Sequence, residues 1–182
     1  MNTLDIVADD HVRGRSEAPT TVLIYGDYEC PHTRALELVL ARLRHREPHA
    51  FQTVFRHFPL RELHPHAQMT AEADEAVYAT AGADAFWVMH DGLFAHQDQL
   101  DESGLARCAA DAGVSADTLR AALDTHQPAG RVQRDVDSGL TIGVAGTPWV
   151  FVNGSRYRGP RDIVSLSHAV SSAPSDEPRA PR

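Results

Sequence analysis

Hydrophobic and polar positions follow two different periods along the first third of the chain. Residues 20–27 are a short, mostly apolar and β-branched run, which predicts a buried central strand. From Thr33 to Arg46, apolar residues recur three and four positions apart, which predicts a helix with one buried face. Residues 50–57 again favour a strand. This strand–helix–strand order predicts two parallel strands joined by a right-handed crossover.

The middle of the chain has a helical pattern instead. Glycines and capping residues divide it into a block of short helices. We predict these helices over the following segments: 67–81, 84–94, from Asp101 or Ser103 to Ala112, from Ser115 onwards, and from Pro128 onwards. Phe86 and Trp87 are expected to fill the helical core, although such aromatic side chains also line substrate grooves.

Strand character returns after Gly146. Residues 149–152 predict a strand, Asn153-Gly154 a tight hairpin turn, and residues 155–158 its partner strand. Residues 162–169 predict a last helix. A parallel pair combined with a terminal hairpin gives an α/β protein with a mixed sheet and helices on both faces.

Composition narrows the class of protein. The chain has 182 residues, of which 42% are hydrophobic and 23% charged, as in ordinary globular domains. A net charge of −8 argues against nucleic acid as a partner. No apolar run is long enough to span a membrane, and the first ten residues lack the pattern of a secretory signal. We therefore expect a cytoplasmic protein with no membrane partner.

Only two cysteines are present, Cys30 and Cys108. A reducing compartment disfavours a disulfide between them. Cys30 lies at a strand-to-helix junction, where the positive end of the helix dipole stabilises a thiolate. His32 can add positive charge or a hydrogen bond, and Thr33 can donate its hydroxyl to the sulfur. The alternative is that Cys30 is a buried cysteine that only packs.

The other cysteine, the histidines and an aspartate near Cys30 are expected to have structural roles. Cys108 lies among alanines in a predicted helix and is expected to be a small core residue rather than a resolving thiol. His57, His64 and His66 lack the spacing of a zinc-binding helix, so no metal site is predicted. Asp27 is expected to bond the backbone of the turn before Cys30 rather than to accept its proton.

Several segments together resemble the DsbA-like proteins of the thioredoxin superfamily. They occur in the family's order over roughly residues 10–170, and the combination is far more specific than any one of them. The segments are Tyr-Gly-Asp-Tyr-Glu-Cys-Pro-His-Thr at 25–33, Phe-Arg-His-Phe-Pro-Leu at 55–60, His-Pro-His-Ala at 64–67, Phe-Trp-Val-Met-His-Asp at 86–91, Gly-Val-Ala-Gly-Thr-Pro at 143–148, and Asn-Gly at 153–154.

The resemblance implies a thioredoxin-like α/β fold. Residues 10–63 and 141–172 would form the thioredoxin-like domain, with residues 64–140 as an all-helical insertion and 173–182 as a disordered tail. It also implies a cis peptide bond between Thr147 and Pro148, lying against the Cys30 sulfur. The Thr147 backbone would then pair with an extended peptide substrate, and Pro31 would also contribute to substrate binding. The alternative is an ordinary trans proline at the start of a strand.

The active-site motif departs from the family at one position. Dithiol members have Cys-Pro-X-Cys, whereas here Thr33 stands in place of the second cysteine. No neighbouring thiol can close an intramolecular disulfide, so one-thiol chemistry is expected. Cys30, His32 and Thr33 would be catalytic and Cys30 the nucleophile. The partners would be a disulfide-containing protein or peptide and a low-molecular-weight thiol, with no metal or organic cofactor.

Two other functions fit the same residues. Kappa-type glutathione transferases share this fold and use a hydroxyl at the active site, so Cys30 or Thr33 could polarise a bound small thiol. A longer helical insertion would be expected of that group. Alternatively, the chain is a non-catalytic thioredoxin-fold module that binds extended peptides.

Overall fold

The computed structural model describes Leu4 and residues 6–172, so the predicted tail at 173–182 lies outside the described residues. Within this part the chain forms five strands and seven helices. In chain order these are β1 His11–Arg13, β2 Thr20–Gly26, α1 Pro31–Arg46, β3 Phe51–His57, α2 Ala67–Ala81, α3 Ala83–Ala95, α4 Glu102–Asp111, α5 Ala116–Leu123, α6 Gln127–Thr141, β4 Trp149–Val152, β5 Ser155–Arg156 and α7 Ile163–Ser172. None of the described helices combines the length and the apolar character that a membrane crossing needs.

The five strands form one mixed sheet in the order β1-β3-β2-β4-β5. The predicted hairpin is present, with β4 and β5 antiparallel and Phe151 opposite Arg156. Asn153 forms the turn with a positive φ of 44°. Its side-chain oxygen accepts a hydrogen bond from the Thr21 backbone N–H at 2.7 Å, which ties the turn to β2. The α/β fold class predicted from the sequence is confirmed.

The sequence prediction missed one strand. The short strand β1 pairs antiparallel with β3, with His11 opposite Phe55. Its three residues, His-Val-Arg, are too few to show an alternating pattern, and only the pairing with β3 makes them a strand.

Three element boundaries differ from the prediction by two residues or more. The helix α1 begins at Pro31 rather than Thr33, because proline at the first helical position lacks only an N–H that has no partner there. Strand β5 ends at Arg156, whose guanidinium donates to the carbonyl oxygens of Val150 and Tyr157. The last helix, α7, runs to Ser172, three residues beyond its predicted end.

The chain divides into two compact units, each with its own core. One consists of described residues in the ranges 1–24, 36–55 and 149–182, and it holds most of the sheet. Its buried side chains come from β2, the later turns of α1, β3, β4 and α7. They include Val22, Ile24, Leu36, Leu40, Leu43, Phe51, Val54, Phe55, Val150, Leu166 and Val170.

The second unit comprises residues 25–35 and 56–148 and is mainly helical. Phe86 and Trp87 are buried in it, as predicted. Of the two predicted caps of α4, Asp101 is the one used, and it accepts from the Gly104 N–H. Ser115, where the next helix was predicted to begin, accepts from the Thr118 N–H and caps α5.

The second unit also buries a carboxylate. Asp135 on α6 accepts the backbone N–H of His57 at 3.0 Å. Burial raises the pKa of Asp135, and the nearby His57 lowers it in part.

Candidate active site

Cys30 caps the beginning of α1. Its carbonyl oxygen accepts the backbone N–H groups of Thr33 and Arg34, both at 3.1 Å, and its own N–H donates to the Asp27 carbonyl at 3.2 Å. The first turn of a helix carries N–H groups without intrahelical partners and the positive end of the dipole. Cys30 therefore lies at the N-terminal end of α1, and the residue is only 3% exposed.

The Gly-Thr-Pro segment before β4 meets this cysteine. The peptide bond between Thr147 and Pro148 is cis. The Cys30 thiol donates to the Thr147 carbonyl oxygen, with 3.4 Å between Sγ and O. Pro148 is buried and Thr147 half-buried. Cys30 therefore meets Thr147, 117 positions away in the sequence, and Pro148 follows Thr147 directly.

The other residues of the motif occupy different environments. Pro31 and His32 are exposed on the first turn of α1. Thr33 is fully buried, and its hydroxyl has no hydrogen-bond partner in the described structure. The expected hydrogen bond from Thr33 to the sulfur is therefore wrong for this state: within the described chain the sulfur bonds the Thr147 carbonyl instead.

Asp27 fixes the beginning of the segment that leads to Cys30. One of its carboxylate oxygens accepts the Glu29 N–H at 2.8 Å. The other accepts the Leu60 N–H at 2.8 Å and lies 2.7 Å from His64 Nδ1. This carboxylate is fully buried. The structural role predicted for Asp27 is thus confirmed, and His64 joins it as a partner.

Glu29 and Tyr28 are also held from the helical part of the chain. The Glu29 carboxylate accepts the His66 N–H at 2.7 Å and lies 3.0 Å from His66 Nδ1. The Tyr28 hydroxyl donates to the buried Asp74 carboxylate of α2 and lies 2.9 Å from Nδ1 of His90 on α3. Each residue before the cysteine is therefore held by a side-chain interaction.

Gln97 is a site residue that the sequence did not reveal. Its side-chain N–H₂ group donates to the Tyr28 carbonyl at 2.6 Å and to the Cys30 carbonyl at 3.1 Å. Gln97 follows α3 in a short turn, and a single polar residue in a turn carries no periodic or motif signal. Only the structure brings it beside the cysteine.

These features agree with a sequence comparison. The profile of the DSBA-like thioredoxin domain matches residues 21–171. The chain belongs to this family. DsbA-like proteins are thiol-disulfide oxidoreductases, and both the cysteine-bearing helix start and the Gly-Thr-Pro segment fall within the matched range.

Solved structures show the same fold. BdbD from Bacillus subtilis, in its oxidised form, superposes with a TM-score of 0.80 at 22% identity, covering 90% of this chain and 91% of that one. A thioredoxin-like oxidoreductase from Silicibacter pomeroyi superposes with a TM-score of 0.77 at 23% identity, covering 92% and 93%.

Curated relatives are much longer than this DsbA-like chain. A protein named Na(+)/H(+) antiporter NhaA 3 from Salinispora tropica is 46% identical over 164 residues, which are 90% of this chain but 24% of the relative. A protein named Na(+)/H(+) antiporter NhaA 1 from Salinispora arenicola is 43% identical with the same coverage. The chain thus spans about a quarter of the length of these relatives.

The second thiol of this DsbA-like chain has a different environment. Cys108 on α4 is 3% exposed, and a Cβ added at Gly92 of α3 would lie 3.4 Å from its sulfur. Burial raises the pKa of the Cys108 thiol, and the charge of Asp111 raises it further. A protonated, packed thiol is a poor nucleophile, which agrees with the predicted core role.

Proposed function

We propose that the chain is a one-thiol oxidoreductase. Its Cys30 thiolate would carry out thiol-disulfide exchange with mixed disulfides. The observation that carries the proposal is the position of the sulfur, at the first turn of α1 and on the Thr147 carbonyl, with Thr33 where a second thiol would stand. The helix start supports the thiolate, and the absence of a neighbouring thiol directs the chemistry to an external one.

The cycle has two balanced steps. The Cys30 thiolate attacks a substrate of the form protein–S–S–R, so a Cys30–S–S–R bond forms and the protein thiolate leaves. The thiolate of a low-molecular-weight thiol then attacks Cys30–S–S–R, which restores the Cys30 thiolate and releases a small disulfide. A reducing compartment such as the cytoplasm suits this cycle because it supplies the second thiol. No metal or organic cofactor enters either step.

Substrate binding is proposed to use the backbone beside the cis proline. The Thr147 carbonyl already accepts one hydrogen bond from Sγ. When the thiolate forms, that carbonyl becomes available to an extended peptide that approaches the sulfur. Pro31 and His32 are exposed on the first turn of α1 and would contact the same substrate.

A peptide S-thiolated with glutathione tests this function. We expect excess reduced glutathione and catalytic amounts of the chain to release the peptide thiol above the uncatalysed rate. Cys30→Ser is expected to lower release to background, because a hydroxyl does not replace the thiolate at neutral pH. Cys108→Ser is the matched control and should retain activity. Equal activity of the wild type and Cys30→Ser would contradict the proposal.

A second candidate function comes from the curated relatives. Their names and lengths suggest a place for this chain beside a Na⁺/H⁺ antiporter. We propose for this case that the oxidation state of Cys30 modulates ion exchange. The test replaces the matching region of the Salinispora tropica relative with this chain and measures Na⁺-driven proton movement in everted vesicles. Diamide together with glutathione joins Cys30 and glutathione in a mixed disulfide, and this should change the rate about fivefold for wild type. Cys30→Ser should not respond, and an equal response from both would exclude the role.

A further inference from the structure

Two buried hydroxyl groups at the cysteine have no hydrogen-bond partner in the described structure. They are Oγ1 of Thr33, whose residue is 0% exposed, and Oγ1 of Thr147. A buried hydroxyl without a partner loses its hydration and gains nothing in return, which is why such groups are rare. Two of them at one site indicate that a polar atom joins them in another state of the protein.

Both hydroxyl-bearing residues are hydrogen-bonded to Cys30. Thr33 lies in the first turn of α1, three residues after Cys30, and its N–H donates to the Cys30 carbonyl. Residues three apart in a helix share one face. Its position is also the one from which a second cysteine bonds the first in dithiol relatives. Thr147 supplies the carbonyl that accepts the Cys30 thiol at 3.4 Å.

The two unpaired hydroxyls would be satisfied by an oxygen atom close to the sulfur, because oxygen is a strong hydrogen-bond acceptor. A disulfide substrate brings a second sulfur and its carbon neighbours to that place, and these are weak hydrogen-bond acceptors. An oxygen attached to the Cys30 sulfur itself would be a much stronger acceptor for these hydroxyls. Oxidation of a thiolate by one step supplies such an oxygen as a sulfenic acid.

We propose that Cys30 also reacts with small hydroperoxides, and that Thr33 and Thr147 hold the resulting sulfenic acid. The thiolate attacks one oxygen of ROOH, the O–O bond breaks, and with one proton the products are Cys30–SOH and ROH. A small thiol then condenses with the sulfenic acid to give a mixed disulfide and water. A second small thiol restores the Cys30 thiolate and leaves as a disulfide.

Thr33 gives this sulfenic acid a lifetime that a dithiol site would not allow. A cysteine at position 33 would condense with the sulfenic acid at once, whereas a hydroxyl can only bond it. The inference rests on Cys30 being the reactive thiol, as the proposed function does, but it does not require any mixed-disulfide substrate.

Trapping of the sulfenic acid with dimedone tests the proposal. Reduced wild-type protein is treated with one equivalent of hydrogen peroxide, labelled, digested and analysed by mass spectrometry. We expect the label on Cys30, and a yield about tenfold lower for Thr33→Val, since one hydrogen bond to the oxygen is lost. Thr33→Ser keeps the hydroxyl and should retain most of the yield.

Two measurements on the same samples serve as controls: the labelling of Cys108 and the melting temperature of each variant. Cys108 should remain unlabelled, since burial raises the pKa of its thiol. Thr33→Val preserves shape and removes an unpaired buried hydroxyl, so its melting temperature should equal or exceed that of wild type. Equal yields from wild type and Thr33→Val, or label on Cys108 alone, would overturn the inference. The release of a glutathionylated peptide, measured on the same preparations, separates this failure from that of the proposed function.

Discussion

Thr33→Cys is expected to turn the chain into a dithiol oxidoreductase. Position 33 lies one helical turn from Cys30 and is fully buried, and cysteine is no larger than threonine, so the new thiol fits without repacking. A tethered thiol attacks a mixed disulfide on Cys30 at an effective concentration far above that of a free small thiol. We expect an intramolecular disulfide and at least about a hundredfold faster release of the bound substrate.

Insulin reduction in the presence of dithiothreitol measures this gain, and thiol counting after mild oxidation measures the disulfide. Thr33→Ser is the matched control, because it changes the same side chain without adding a sulfur. A folded Thr33→Cys protein that closes no disulfide and leaves insulin intact would show that this scaffold no longer supports exchange. That outcome would favour the peptide-binding module among the alternatives.

Gly104→Ala is expected to destabilise the folded chain more than any substitution at the surface. Gly104 lies in the first turn of α4, where its N–H donates to the Asp101 cap at 2.8 Å. A Cβ at this position would overlap the Gln99 carbonyl oxygen, and a backbone atom cannot rotate away. The turn must shift and the cap must weaken, so we expect a loss of about 3 kcal/mol or more in the free energy of unfolding.

Gly130→Ala provides the control for this change. Gly130 is also helical, in α6, but a Cβ there meets nothing within 4 Å. Alanine should therefore stabilise that helix by about 0.5–1 kcal/mol, through helix propensity alone. Urea unfolding followed by circular dichroism measures both variants. If Gly104→Ala unfolds at the same urea concentration as Gly130→Ala, the close approach of Gln99 is not a constraint.

The helices and strands of this fold could be predicted where the sequence signal lies within the element itself. The apolar spacing after Cys30 placed the start of α1 to within two residues, and Asp101 and Ser115 marked the beginnings of two helices correctly. Each of these signals lies within one turn of the structure that it specifies. Strand β1 had no such signal, because three residues acquire their conformation only from pairing with β3.

The site was predictable only where a known pattern joined distant segments. Resemblance to the family brought Thr147 and Pro148 to Cys30, which no periodicity would have done. The residues that hold the loop before Cys30 could not be predicted from the sequence. Gln97 lies 67 positions from Cys30, and His66 lies 37 positions from Glu29. Side-chain pairing at such separations depends on packing that leaves no spacing in the sequence. The unpaired Thr33 hydroxyl is likewise visible only in three dimensions.

The interactions that hold residues 27–30 make the backbone at Cys30 independent of any sulfur–sulfur bond. Carboxylates, imidazoles and one amide fix this loop, and none of these hydrogen bonds involves the Cys30 sulfur. In a dithiol enzyme, closing the ring also restrains the first turn of the helix. Here that restraint is already supplied, so the thiol can be modified, released and modified again while the geometry presented to the next reactant stays the same.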